Sequence, residues 1–189
     1  GVTGLVYKSI HGVTQAVGKA LDMALTGLMP LLESAGAAQA GSAQRETVLA
    51  ILNGVMGDHL VASGNPLALS MSLRHQGQAL RWDVEPCPAH LQGARGKVLV
   101  LIHGLCMNDL QWHTEKDGKV VDHGETISAA LGYTPIHVRY NTGLHTSQNG
   151  HQLAAELEQM VQHWPVPLEE ITVLVHSMGG LLALGANVF

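Results

Sequence analysis

The sequence is poor in charged residues, in aromatic residues and in cysteine. Of its 189 residues, 13% are charged and 4% aromatic, with a single phenylalanine, so the core has to be largely aliphatic. Ten Lys and Arg against fifteen Asp and Glu leave a net charge of −5, which excludes the basic surface that nucleic-acid binding requires. Two cysteines, Cys87 and Cys106, allow at most one disulfide bridge, which excludes a disulfide-stabilised small fold.

Long apolar runs are also missing. No stretch of 18 apolar residues occurs, so no transmembrane helix is predicted. No signal peptide is visible at the first residues, which favours a cytoplasmic location. A hydrophobic content of 46% lies within the range of globular proteins and excludes wholesale disorder, and the length is that of one ordinary domain.

The first third of the chain has helical periodicity. Apolar residues at steps of three and four predict helices over residues 3–29 and about 45–62, with a linker over 34–44. A turn at Ser63–Pro66 marks the end of this helical N-terminal extension and linker, residues 1–66. The extension either packs on the following domain or contacts a membrane surface or a partner. A polar face with few Lys and Arg argues against membrane contact.

Residues 67–189 alternate between strand and helix patterns. The predicted order is a hairpin at 69–84, a buried strand at 97–102, a helix from Asp122 to Gly132, a strand at 135–140, a helix from Asn149 to Trp164, a second buried strand at 171–175, and the start of a helix after Gly180. Alternation at this spacing predicts an α/β fold with a mostly parallel sheet flanked by helices.

The most informative segment follows the last strand. His176, Ser177 and Met178 precede Gly179 and Gly180, and an apolar helix begins there. A strand, a tight turn with serine at its tip and a helix form a nucleophile elbow, in which the turn exposes the hydroxyl. Backbone N–H groups at the start of the helix, Met178 first among them, can stabilise a developing oxyanion.

These residues resemble the α/β-hydrolase family, in particular its bacterial lipase and esterase branch. His176–Gly180 is similar to the G-H-S-M-G-G elbow of that group, and Val98–Leu105 is similar to its third strand and His-Gly oxyanion loop. The resemblance covers about residues 67–189. It implies that Ser177 attacks a carboxylic or lipid ester and forms an acyl-enzyme, with a histidine base and an acid.

The same resemblance assigns the oxyanion site. Met178 N–H would bind the oxyanion together with Leu105 or Cys106 N–H, and His103 and Gly104 would support the loop. Members of the family need no metal or organic cofactor, so none is expected.

Two departures from the family pattern carry expectations of their own. Val175 stands where the elbow normally begins with glycine, and its branched side chain is expected to crowd the turn beside Gly179. The family order is Ser, then an acid, then His, yet residues 178–189 contain no Asp, Glu or His. The expectation is therefore an N-terminal half of a hydrolase domain, truncated after its elbow and inactive by itself.

Other polar residues are interpreted as structural. The spacing of the twelve histidines contains no metal-ligand motif, and no metal site is predicted. Trp112 and Tyr140 either pack in the core or line an acyl pocket. A group in the middle of the chain is interpreted as a solvated loop: Asp109, His113, Asp117, Asp122 and His123.

Two alternatives to the esterase remain open. One is an acyltransferase or thioesterase that uses the same Ser177. The other is a catalytically silent, hydrolase-like binding module, which Val175 favours.

Overall fold

The computed structural model describes residues 39–82, 91–116 and 118–186. The predicted helix over 3–29 lies outside the described residues, as do Cys87 and Asp117. The first described element is helix α1, Gln39–Ala62, which begins within the predicted linker. Alanine and glutamine favour helix, which explains why the helix extends backward through this stretch. The backbone of α1 leaves helical geometry at Met56, where the helix kinks.

A five-stranded mixed sheet forms the centre of the molecule. Its strands are β1 (Ser72–His75), β2 (Gln78–Ala79), β3 (Lys97–Ile102), β6 (Thr134–Arg139) and β7 (Glu170–Val175), in the spatial order β2-β1-β6-β3-β7. Strands β6, β3 and β7 run parallel, while β1 pairs antiparallel with both β2 and β6. A separate hairpin joins β4 (His113–Lys116) to β5 (Lys119–Asp122).

Helices cover both faces of the sheet. They are α2 (His123–Leu131), α3 (Thr146–His163) and α4 (Gly179–Gly185). Val98, Val100 and Ile102 of β3 share one core cluster with buried side chains of α3 and α4, whereas Leu101 lies close to Gly124 of α2. Alternate residues of a strand point to opposite faces, so β3 is buried on both. The prediction of an α/β fold is confirmed.

Helix α2 matches its sequence signals. Asp122 Oδ1 accepts from Glu125 N–H at 3.0 Å, and Gly132 adopts φ +80° after the last turn. An aspartate acceptor at the first turn and a left-handed glycine at the end are the usual signals of a helix start and stop. The predicted bounds of this helix are therefore confirmed.

Other predicted bounds are wrong. Strand β1 begins at Ser72 and β2 has two residues, so the hairpin is shorter than predicted. Helix α3 begins at Thr146, not at Asn149. Strand β7 is half exposed, not buried on both faces, because among the described strands it pairs only with β3. Of the described helices, none combines the length and the apolar character needed to cross a membrane.

Candidate active site

Ser177 occupies the tip of a sharp turn between β7 and α4. Its φ of +52° lies in the left-handed region, which a serine rarely adopts. Hydrogen bonds hold the turn: His176 N–H donates to Ile102 O at 2.9 Å, and Gly179 N–H donates to His176 O at 2.9 Å. The exposed serine therefore lies on the predicted strand-turn-helix elbow, anchored to the end of β3.

Glycine is required at 179 by the neighbouring strand. A Cβ at this position would lie 2.6 Å from Ile102 O and 2.9 Å from His103 O. Real side chains do not come this close to a carbonyl oxygen, so a larger residue would push α4 away from β3. Gly179 thus allows the helix that follows Ser177 to start directly against the end of β3.

Val175 is accommodated at the start of the elbow. Its side chain lies beside Gly180, with Cγ2 3.7 Å from where a Cβ on that glycine would be, which is an ordinary contact distance. The residue is 36% exposed. Since the branched side chain points to the surface side of the turn, the elbow forms with valine in place.

The loop after β3 lies against this elbow. A Cβ on Gly104 would be 2.9 Å from His176 Nδ1 and 3.2 Å from Ser177 Cβ. Only a residue without a side chain allows this approach. The start of the loop therefore lies against Ser177, and Leu105 and Cys106 follow Gly104 in that loop.

The candidate oxyanion donors differ in what they bind. Cys106 N–H donates to Thr142 Oγ1 at 3.1 Å, so it is already engaged. Within the described part of the chain, the N–H groups of Met178 and Leu105 have no acceptor. Of the two residues predicted for the second donor, Leu105 therefore fits and Cys106 does not.

Two side chains that the sequence did not single out hold this loop. Gln111 Oε1 accepts from Gly104 N–H at 3.2 Å, and Thr142 Oγ1 accepts from Cys106 N–H. Cys106 itself has φ +57°, so the loop is strained at the point where Thr142 holds it. These residues lie 7 and 36 positions from their partners, and no local motif marks them.

His103 is fully buried behind the loop. Its ring stacks on Tyr140 with 4.4 Å between centroids, and its Nδ1 lies 3.0 Å from Gly104 O. Burial lowers the pKa of His103 to about 4, although the hydrogen bond to Gly104 and the charge of Asp109 act in the opposite direction. The ring is therefore neutral at pH 7 and donates to Gly104 O, as expected for a supporting residue.

Tyr140 has a packing role. It is 1% exposed, and its hydroxyl donates to His103 O at 2.8 Å. Of the two roles that the sequence allowed, packing is the one that this environment fits. Trp112 ends a 3₁₀-helix at Asp109–Trp112 and is half buried.

Part of the group predicted to lie in a solvated loop forms ordered side-chain contacts instead. His113 Nε2 and His137 Nε2 lie 2.9 Å and 3.4 Å from the same oxygen of Asp122. Burial alone would raise the pKa of Asp122, but the contact with His137 and the hydrogen bond from Glu125 N–H outweigh it and hold that pKa well below its usual range. These groups line a cavity of about 230 Å³ that does not include Ser177.

Within the part of the chain that the structure describes, Ser177 has neither a hydrogen-bonded base nor a metal site beside it. In residues 39–82, 91–116 and 118–186, Ser177 Oγ forms no hydrogen bond with a histidine. No group of three His, Cys, Asp or Glu side chains within those ranges could hold a metal ion. The site therefore consists of an exposed serine, two unengaged N–H groups and the loop that positions one of them.

Helix α1 also borders the site, although it lies in the predicted N-terminal extension. A Cβ on Gly54 would lie 2.9 Å from Cys106 Cα, and Asn141 Nδ2 donates to Gly57 O at 3.1 Å. The helix is thus fixed against the oxyanion loop and the segment after β6.

No protein-family model, curated protein or solved structure matches this chain.

Proposed function

We propose that this protein is a serine hydrolase of the α/β-hydrolase fold that cleaves carboxylic esters through an acyl-enzyme on Ser177. The observation that carries the proposal is the approach of two loops. Ser177, at φ +52°, lies against Gly104, and among the described residues no acceptor binds the N–H of Met178, which follows Ser177, or of Leu105, which follows Gly104.

The arrangement fits acyl transfer. Ser177 Oγ would attack the ester carbonyl, and the carbonyl oxygen would become an oxyanion as the tetrahedral intermediate forms. Two fixed N–H donors stabilise that charge more than the neutral carbonyl, and each such donor contributes on the order of 100- to 1,000-fold in rate. Collapse of the intermediate would expel the alcohol and leave the acyl group on Ser177, from which water releases the acid.

The proposal assigns the nucleophile and the oxyanion donors, but no general base. His103 is unsuited to proton transfer because it is fully buried and its Nδ1 is held by Gly104 O. His113 and His137 bind Asp122 in a separate cavity. The structure therefore supports a positioned serine whose activation depends on a group outside these contacts.

The lack of a general base among the contacts of Ser177 favours a second candidate, a catalytically silent binding module. A serine hydroxyl without a base is a weak nucleophile, and Ser177 Oγ has no hydrogen-bond partner among the described residues. An acyltransferase or thioesterase would use the same acyl-enzyme and differ in the acceptor or in the leaving group.

Covalent labelling separates these candidates. The protein expressed from its complete gene should react with an alkyl fluorophosphonate at Ser177 and hydrolyse p-nitrophenyl butyrate. Ser177→Ala should abolish labelling and lower turnover by more than about 1,000-fold, because the acyl-enzyme can no longer form. Ser147→Ala, at an exposed serine of α3, is the matched control and should retain both activities.

Each contrary result has a distinct meaning. Turnover that survives in Ser177→Ala would show that Ser177 is not the nucleophile. An unlabelled wild-type protein that turns over no ester would favour the binding module. Labelling without ester hydrolysis would favour transfer to an acceptor other than water.

A further inference from the structure

A cavity of about 200 Å³ lies between α1 and the segment that follows β3. Helix α1 contributes one wall, and the oxyanion loop with the 3₁₀-helix contributes the other. The residues that line it are Thr47, Ala50, Cys106, Met107, Leu110 and Gln111, together with Asn108. Two residues of its lining, Thr47 and Ala50, lie outside residues 67–189, the stretch that resembles the hydrolase family.

The interior of this cavity is suited to an apolar group. Ala50, Cys106, Met107 and Leu110 present carbon and sulfur atoms. Three polar groups of the wall are already bonded: Asn108 Oδ1 accepts from Leu110 N–H at 2.9 Å, Gln111 Oε1 accepts from Gly104 N–H, and Cys106 N–H donates to Thr142. Burial of an apolar chain in the cavity gains free energy without breaking these bonds.

The cavity adjoins the loop that carries the candidate oxyanion donor Leu105. Cys106 lines it and directly follows Leu105, whose N–H is a proposed oxyanion donor. Gln111 lines it and also holds Gly104, the residue that touches Ser177. Met107, which lines the cavity, is 40% exposed, and Leu105, the residue before the lining Cys106, is 50% exposed. A substrate whose carbonyl oxygen is bound by the oxyanion donors could thus place its acyl chain in this cavity, because Cys106 of its lining directly follows Leu105.

We infer that this cavity binds the acyl chain of the substrate and that α1 sets the length of chain accepted. The inference rests on the proposed function. If a methylene takes up the ~30 Å³ that a water molecule occupies in the liquid, the cavity holds roughly six or seven carbons. The substrate class is therefore esters of short to medium unbranched acids, not of long-chain acids.

The first test is a chain-length series of p-nitrophenyl esters from acetate to decanoate. Each buried methylene should raise kcat/KM about fourfold up to hexanoate, and the gain should then level off. Thr47→Trp places a large ring in the cavity from an exposed position of α1. It should lower the ratio of kcat/KM for hexanoate over acetate at least tenfold.

Val48→Trp is the matched control, because Val48 is the next residue of α1, is 43% exposed and does not line the cavity. It should leave the hexanoate-to-acetate ratio unchanged. A ratio that Thr47→Trp does not alter, or that Val48→Trp lowers equally, would overturn the inference while ester hydrolysis itself stands.

A second readout does not depend on turnover. Hexanoate should bind the Ser177→Ala protein, as measured by ligand-observed NMR, and adding Thr47→Trp should weaken that binding at least tenfold. Equal binding with and without Thr47→Trp would refute the cavity as the acyl site. Failure of the proposed function is seen separately, as loss of fluorophosphonate labelling and of all ester turnover in the wild-type protein.

Discussion

Two residues with left-handed backbones meet at the site. Ser177 has φ +52° and Cys106 has φ +57°, and neither is a glycine. Such conformations cost on the order of 1–3 kcal/mol each and persist only where the surroundings enforce them. Here the surroundings are specific: β3 holds the serine turn through Ile102 O, and Thr142 holds Cys106 N–H. Two of the three non-glycine residues with positive φ in the described part of the chain thus lie in the turns that carry the nucleophile and the oxyanion loop, and the third is Gln76.

The lowered pKa of His103 should make the stability of the fold depend on pH. Its pKa is lowered by burial from 6.5 to about 4, so between these values the unfolded chain binds a proton that the folded chain does not. The free energy of unfolding should therefore fall as the pH falls from about 6.5 to 4, by about 3 kcal/mol from this residue. Urea unfolding at a series of pH values measures this slope.

A variant isolates the contribution of His103. His103→Asn keeps an N–H that can donate to Gly104 O but removes the titrating group, so its stability profile should be flatter across this pH range. His151→Asn changes an exposed histidine of α3 and should leave the profile as in the wild type. Equal slopes for the wild type and His103→Asn would contradict the prediction. Asp122, whose pKa is held low, acts only at more acidic pH.

The site residues were predictable where the signal is local. Ser177, Gly179 and Gly104 lie in short motifs whose spacing dictates the turn, and in the structure Gly179 packs on the end of β3 while Gly104 packs on Ser177. Gln111 and Thr142 were not predictable. Their side chains accept from backbone N–H groups that only the folded chain brings near, and glutamine and threonine carry no distinguishing signal in a loop.

At the scale of elements, an asparagine links α1 to the rest of the molecule. Asn141 Nδ2 donates to Gly57 O, and Asn141 O accepts from Asn149 Nδ2 at 2.9 Å. Both asparagines are buried. Since a buried amide needs its partners, these bonds fix α1, the segment after β6 and the first turns of α3 in one arrangement.

Gly143 makes the approach of α1 possible, and its substitution should loosen that helix. A Cβ at this position would lie 2.7 Å from Gly57 N and closer still to Asn53 O, both backbone atoms of α1. Gly143→Ala should lower the free energy of unfolding by about 1–3 kcal/mol, the usual cost of overpacking. Urea unfolding followed by circular dichroism provides the measurement.

Ser147→Ala controls for this change, because Ser147 is exposed in the first turn of α3 and should alter stability by no more than about 0.5 kcal/mol. Hydrogen exchange of the α1 amides adds spatial resolution. It should accelerate in Gly143→Ala relative to the amides of β3. Unchanged exchange in α1 would show that the clash is relieved elsewhere.

Element types were predicted better than element bounds, for a physical reason. Asn149 looks like a helix cap in the sequence, since asparagine favours that position, yet its side chain turns inward to bind Asn141 O. The start of α3 is set instead at His145, whose N–H donates to Gln148 Oε1. Local preference was overruled by a tertiary bond that the sequence does not display.

At the scale of the whole molecule, sheet order creates the site. Strand β3 lies between β6 and β7 although β6 separates them in the sequence, so the loops after β3 and β7 emerge side by side. In open α/β sheets, sites lie at the carboxyl ends of such neighbouring strands. The strand patterns predicted the class of sheet, but the choice of neighbours depends on long-range pairing and was not available from periodicity alone.

A chain of buried and partly buried charges links the 3₁₀-helix, β1, β6 and α1. Asp109, in the 3₁₀-helix, lies 3.0 Å from Arg74 Nε of β1 and 3.5 Å from Arg139 Nε of β6, and Arg139 pairs in turn with Glu46 of α1. The side chains of Asp109 and Arg139 are 8% and 12% exposed, so these two charges have little contact with water. Burial also lowers the pKa of Arg139, because it disfavours the charged guanidinium.

Removing the central carboxylate should therefore destabilise the whole fold. Asp109→Asn keeps the size of the side chain but leaves Arg74 and Arg139 buried without their shared counter-charge, which should cost about 3 kcal/mol in the free energy of unfolding. Lys97→Gln breaks the Lys97–Glu170 pair, which is about 42–44% exposed on both sides, and should leave the urea midpoint unchanged. The loss in Asp109→Asn should persist at 0.5 M salt, since buried charges are little screened. If both variants had the same urea midpoint as the wild type, the charges of α1, β1 and β6 would not be coupled through Asp109.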